Sequence, residues 1–234
     1  RGVDAMINTI LDLHHNDGRY DLRVSGMVAL IHKATEGKDW RDPRFAAALT
    51  EARNCGMLVG AYHFGSASST GAVQADFFLG EVRPQGEDVL RVLDLENNPG
   101  SSGTMTTAQA ADFVARVHEV TGRWPVLYAG AYDLRGRWKV STPEQRATLA
   151  RCPLWLAQYG EPPTPRSYPS GPDGWPSGWS LWQYTNGTAG PSDQRTYPRT
   201  VPGFRDPTQD RSVFRGTVDE LRAWWASAGR PRCA

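Results

Sequence analysis

The sequence predicts an α/β fold, a single irregular TIM-like β/α barrel with parallel strands and fewer helices toward the C-terminus. Three observations predict it. Short, nearly all-apolar β-type runs alternate with helical patterns along most of the chain, as parallel strands joined by crossover helices do. The length of 234 residues is close to the ~250 typical of such barrels, so residues 1–234 are expected to form one domain. The last third is rich in turn residues, which leaves little room for helices there.

Candidate strands run from Thr9 to Leu13, Val28 to Lys33, Leu58 to Phe64, Leu90 to Glu96, Pro125 to Ala129, Leu154 to Tyr159 and Ser180 to Tyr184. Several are apolar at nearly every position, as strands covered on both faces must be. Between them, Phe45, Leu49 and Ala52 recur at helical spacing after Asp42-Pro43, and Val73 with Phe77 after Thr70. Thr106 and Gln109 form a capping-box pattern ahead of Phe113, Val114, Val117 and Val120. Thr142-Pro143 with Gln145, and Thr217 with Glu220, repeat it. The final helix carries Leu221, Trp224 and Trp225 and stops at Gly229 and Pro231. Six prolines fall between Gly160 and Gly178, and the stretch from Asn186 to Asp206 is again turn-rich. Both read as long loops over one face of the barrel, and such loops are more often functional than idle.

Composition excludes several functions. Lys+Arg number 26 against 25 Asp+Glu, a formal net charge of +1, so no global field exists to hold nucleic acid or an anionic membrane. No apolar run approaches the ~20 residues a bilayer requires, and mean hydropathy is -0.52; membrane insertion is not expected. The chain opens at Arg1 without a basic and apolar leader, so a secretion signal is expected to be absent or already removed. Cys55, Cys152 and Cys233 follow no metal spacing, and an odd number allows at most one internal disulfide. Nine Trp and eight Tyr exceed what core filling usually demands, and flat rings with one polar edge suit the apolar faces of sugars as well as protein contacts.

The chemistry concentrates in Leu93-Asp94-Leu95-Glu96. Period two places Asp94 and Glu96 on one face at the C-terminal end of a strand, with Cα atoms about 6.5–7 Å apart, on the catalytic rim of a barrel. Two carboxylates confined there repel, and one is pushed toward the protonated form that acid catalysis of glycosidic cleavage needs. A surface ion pair or half of a metal site are the competing readings of the same dipeptide pattern. Asp12 also ends an apolar run, with His14 on its face by parity. Asp12, His14, His63, Asp94 and Glu96 could together surround a divalent cation in a metal-dependent hydrolase; hydrogen bonding within a polar rim is the preferred reading, and neither a metal nor a cofactor is expected.

Six short motifs occur in order: Ile31-His32-Lys33-Ala34-Thr35-Glu36-Gly37, Asp42-Pro43 with Phe45, Gly60-Ala61-Tyr62-His63-Phe64, Leu93-Asp94-Leu95-Glu96, Trp155-Leu156-Ala157-Gln158-Tyr159 and Leu181-Trp182-Gln183-Tyr184. With this series the chain resembles glycoside hydrolase family 25, the Chalaropsis-type lysozymes, over nearly its full length. The resemblance implies a β-1,4-N-acetylmuramidase that cuts the MurNAc–GlcNAc bond of the peptidoglycan glycan strand. Glu96 would be the general acid, Asp94 would assist attack by the substrate's N-acetyl group, and Asp12 and Asp210 would match the family's acidic residues at the first strand and in its closing D-x-x-x-F segment. Tyr62, Tyr128 and Trp182 would line the groove. A monomer is expected, secreted or periplasmic and cell-wall associated because its substrate lies there.

Two departures from the family pattern are visible. Leu13-His14-His15-Asn16-Asp17-Gly18 replaces a Ser-x-Trp-Gln-Gly type segment, and the loop from Asn186 to Asp206 is long. Gly2-Val3-Asp4 imitates the family's opening, so Asp4 competes with Asp12, which ends the better strand. A non-catalytic peptidoglycan-binding module is the alternative outside enzymology.

Overall fold

All seven strands read from the sequence form in the computed structural model, which describes residues 6–100, 102–171 and 174–229. In chain order the strands are β1 (Met6–Leu13), β2 (Ala29–Glu36), a two-residue β3 (Trp40–Arg41), β4 (Leu58–Phe64), β5 (Leu90–Asp94), β6 (Val126–Gly130), β7 (Leu154–Ala157), β8 (Leu181–Asn186) and β9 (Asp210–Arg215). They follow the order β1-β9-β8-β7-β6-β5-β4-β2-β3, and a further pairing of β1 with β2 closes the barrel, leaving β3 as an antiparallel addition to β2.

From β1 to β8 the barrel pairs are parallel. The last strand departs from the expectation of parallel strands: β9 is antiparallel to both β8 and β1. A parallel return needs a crossover, but the connection from β8 to β9 stays at one end of the barrel, and Asn186 pairs directly with Asp210. The first residue of β9 therefore stands at the rim where the other strands end.

The helices are α1 (Phe45–Asn54), α2 (Gly71–Val82), α3 (Thr107–Thr121), α4 (Ala131–Val140), α5 (Pro143–Leu149) and α6 (Val218–Ser227). Complete capping boxes at Thr106, Thr142 and Thr217 start α3, α5 and α6, each satisfying two of the backbone donors a helix start leaves unpaired. In α2 the buried face is Ala75, Phe78, Leu79 and Val82, while Val73 is 50% exposed. The sequence reading found this helix and misplaced its face. It missed α4, whose only buried residues are Ala131 and Leu134, because such a helix has no apolar stripe to read.

Alternation divides the core. Ile10, Ile31, Leu90, Val92, Val126 and Leu181 belong to the cluster inside the barrel, closed at the strands' N-terminal end by Trp225 of α6, whose Nε1 donates to the Val59 carbonyl at 2.9 Å. Gly60 makes room for this plug: a Cβ there would lie 3.1 Å from Ile31 Cγ1 and 3.3 Å from the Trp225 ring. The intervening residues face outward into a larger cluster beneath α1, α2, α3 and the late loops.

Candidate active site

The same alternation delivers the polar residues. Continuing inward from Ile10, Gly60, Val92, Val126 and Leu181 come Asp12, Tyr62, Asp94, Tyr128 and Gln183. All five line a cavity of about 290 Å³ at the C-terminal mouth, together with Glu96 and Asp210. Asp94 pairs across the sheet with Tyr128, and Tyr128 with Trp155, so acid and rings share one level of the barrel. Asp94 and Glu96 share this cavity, as period two requires.

Gln183 organises this cluster. Its Nε2 donates to Asp12 Oδ1 and Oδ2 at 3.1 and 3.2 Å and reaches Asp210 Oδ2 at 3.4 Å. The amide nitrogen of the group thus faces Asp12 and Asp210, and its oxygen faces the tyrosines. The hydroxyls of Tyr128 and Tyr159 therefore both donate to Gln183 Oε1, each at 2.8 Å. A phenol has one proton. That of Tyr128 is shared between Gln183 Oε1 at 2.8 Å and a longer contact to Glu96 Oε1 at 3.4 Å.

Burial pushes the Glu96 carboxyl above its ordinary range; the hydrogen bond from the Tyr128 hydroxyl opposes this, and the charge of Asp133 adds to it. Asp94, 7% exposed, is pushed well up by burial and by Glu96, with Lys33 opposing. Burial and the nearby Asp210 likewise raise Asp12 well above the ordinary carboxylate, and Asp210 itself is pushed up to about 7 by burial, then by Asp17 and Glu96. Carboxylates with few cations between them and little water bind protons more tightly than exposed ones. Asp94 Oδ1 is buried and accepts no hydrogen bond from any described residue.

The rim contains residues the sequence reading passed over. A register shift between Lys33 and Thr35 brings Lys33 and Glu36 to one side of β2, where strict alternation would separate them. Lys33 Nζ bonds Glu36 Oε2 at 2.7 Å, and Asn98 Nδ2 reaches Glu36 Oε1 at 3.1 Å. The altered first loop lines the cavity through His14, His15 and Asn16; Asp42 fixes His15 by its backbone N–H at 2.9 Å and its Nδ1 at 3.1 Å.

Of the seven residues singled out from the sequence, six converge on the cavity: Asp12, Tyr62, Asp94, Glu96, Tyr128 and Asp210. Trp182 does not, which corrects the expectation. It is fully buried on the outer face of β8, packed edge-on against Tyr197 at 5.3 Å, with Nε1 donating to the Gln158 carbonyl at 2.8 Å. Parity decides this, because Leu181 points in and Trp182 must point out. The five-residue metal set is not brought together complete either: Asp12, His14, Asp94 and Glu96 line the cavity, but His63 does not. His63 faces outward, stacked on Phe113 at 4.9 Å and bonded to Thr35 Oγ1 at 2.8 Å and Gln74 Oε1 at 3.2 Å, and burial pushes its imidazole down to about 4. Cys55 and Cys152 are free thiols; Cys233 and Asp4 lie outside the described residues.

A β/α barrel with carboxylates gathered under tyrosine hydroxyls at its C-terminal mouth has the architecture of a barrel glycosidase. Residues 11–192 match the sequence signature of the glycosyl hydrolases family 25, and the chain belongs to that family. It is 34% identical over 188 residues to lysozyme M1 of Streptomyces globisporus, a match covering 75% of this chain and 60% of that protein, so the chain spans about three fifths of that relative. It is 33% identical over 181 residues to the N,O-diacetylmuramidase of Chalaropsis sp, covering 70% and 80% of the two chains. Among solved structures, the bacterial lysozyme from Streptomyces coelicolor superposes with a TM-score of 0.69 at 30% identity, covering 93% of this chain and 96% of that one. The family match begins at residue 11 and ends at 192, so Asp12 falls within it and Asp210 beyond it.

Proposed function

We propose that this chain is a peptidoglycan muramidase that hydrolyses the β-1,4 bond between MurNAc and GlcNAc. The observation that carries the reading is the placement of Asp94 and Glu96 side by side in a buried, carboxylate-rich cavity at the mouth of a family 25 barrel. Glu96, kept protonated by burial, protonates the departing glycosidic oxygen. Asp94 Oδ1 accepts the acetamido N–H of the MurNAc residue, which orients the acetamido carbonyl oxygen onto the anomeric carbon. The ionised Glu96 then takes a proton from the water that opens the cyclic intermediate. This substrate-assisted route is one of the exceptions to the two-carboxylate scheme. Asp12 and Asp210, bridged by Gln183, hold the floor of the cavity, and Tyr62 and Tyr128 supply hydroxyl and ring contacts to sugar.

Peptidoglycan lies outside the cytoplasmic membrane, so the protein acts there, as a monomer, on a polymeric glycan. Among the described residues no helix is long and apolar enough to cross a membrane. Mass spectrometry of digested peptidoglycan should find MurNAc at the new reducing ends, with EDTA present, and Glu96→Gln should lower the rate by at least about 10²-fold while leaving the melting temperature near that of the parent. GlcNAc at the reducing ends, or an active Glu96→Gln variant, would overturn the assignment.

A further inference from the structure

A second cavity, of about 560 Å³, begins at Asn97, one residue beyond the proposed acid, and runs along α4. Its wall includes Arg135, Arg137 and Lys139 against one carboxylate, Asp133. Among the described residues none of these three cations has an ion-pair partner. Arg137 donates to the Met105 carbonyl at 2.8 Å and to Asn97 Oδ1 at 3.4 Å, and Arg135 donates to the Arg166 carbonyl at 3.1 Å. Asp133 is engaged by the Asn97 amide at 3.3 Å. The same wall carries Tyr132 and Val140, 82% and 84% exposed, the most exposed large apolar side chains among the described residues. A helix C-terminus favours basic residues, which accounts for Lys139 but not for an exposed tyrosine at the other end of the same helix.

Unneutralised cations beside exposed apolar surface, in a cavity, describe a site for an anion that carries apolar groups. We propose that this cavity binds the acidic peptide borne by the muramic acid, with peptide carboxylates on Arg135 and Lys139 and alanine methyls against Tyr132 and Val140. The inference rests on the muramidase reading and deepens it. A muramic acid seated beside Glu96 projects its lactyl-linked peptide from the cleft, and the cavity that opens at Asn97 lies next to that cleft. Arg137 is held between the Met105 carbonyl and Asn97 Oδ1 on the wall of this cavity.

The test uses peptidoglycan freed of teichoic acid by hydrofluoric acid, so that the peptide is its anionic component, and the same glycan stripped of peptides by an N-acetylmuramoyl-L-alanine amidase. Both are assayed at low concentration for release of reducing ends. Arg135 and Lys139 are exposed, so Arg135→Ala/Lys139→Ala should fold normally. The double variant should lose about five- to tenfold in kcat/KM on peptide-bearing glycan, the scale of two charge-assisted contacts, and less than about twofold on the stripped glycan. Equal losses on both substrates, or no loss on either, overturn the peptide site. A deficit seen only on walls that retain teichoic acid overturns it in favour of a polyphosphate ligand. A parent protein that releases no muramic reducing ends from either substrate refutes the muramidase reading, a result distinct from failure of the peptide site.

Discussion

Gln183 shows how much of the acid's state is set by a group that need not touch the substrate. Its amide nitrogen faces Asp12 and Asp210 and its oxygen accepts from Tyr128 at the shorter distance, which draws the Tyr128 proton away from the longer contact to Glu96. Gln183→Met keeps the volume and removes both poles. The Tyr128 proton is then free to turn to Glu96, where it stabilises the carboxylate and lowers its pKa. The variant is expected to lose about 10- to 100-fold in kcat/KM. The alkaline limb of its pH profile should also move to lower pH by about one unit. A drop in rate with an unmoved profile would reduce Gln183 to packing. Asp12, Asp94 and Glu96 were legible in the sequence because a carboxylate closing an apolar strand breaks the pattern. Gln183 breaks it equally, but its aromatic neighbour Trp182 drew the sugar-contact reading. Counting inward from Leu181 would have selected the glutamine.

At the scale of elements, the aromatic surplus belongs mainly to the fold. Among the described residues the connections from β7 to β8 and from β8 to β9 contain no helix, so the outer faces of these strands are covered by loops. Loops lack a periodic stripe and must be pinned by large side chains. Tyr168, Trp175, Trp179, Trp182, Tyr184, Val201 and Phe204 are all buried in the outer cluster, and Trp175 Nε1 donates to the Cys152 carbonyl at 2.7 Å. The ring count in the sequence left sugar and protein contacts both open, because composition cannot say which face of a strand a ring takes. The direction of β9 was hidden for a related reason: a turn-rich connection carries no sign of whether it crosses the barrel. Trp182→Ala should therefore destabilise the protein by about 3–5 kcal/mol in denaturant titrations. Trp182→Phe, which keeps most of the filling, should leave KM for glycan within about twofold of the parent, since stacking on sugar is worth more than that. A large rise in KM for the Phe variant would return Trp182 to the groove.

For the whole molecule, a formal net charge of +1 conceals a concentrated acidic site, and the fold bears the consequence. Asp210 has an ordinary pKa of 3.8 and is pushed up to about 7 in the folded protein. Between those values the native state binds more proton than the unfolded chain, so this group's contribution to stability is fully present below about 4 and falls as pH rises through about 7. His63, pushed down to about 4 by burial, acts with the opposite sign over an overlapping range, destabilising the fold as pH falls. The two are separated by comparison with Asp210→Asn, which keeps His63 and removes the titration at the rim. The variant should match the parent near pH 4 and become more stable by a margin that grows up to pH 8. The full shift of roughly three units corresponds to at most about 4 kcal/mol, and a chain of this size gains about 2–4 °C in melting temperature per kcal/mol. Thermal melts of both proteins from pH 4 to pH 8 measure the margin. A gap independent of pH, or a parent more stable than the variant at pH 8, would show that Asp210 is ionised at no cost in the folded protein.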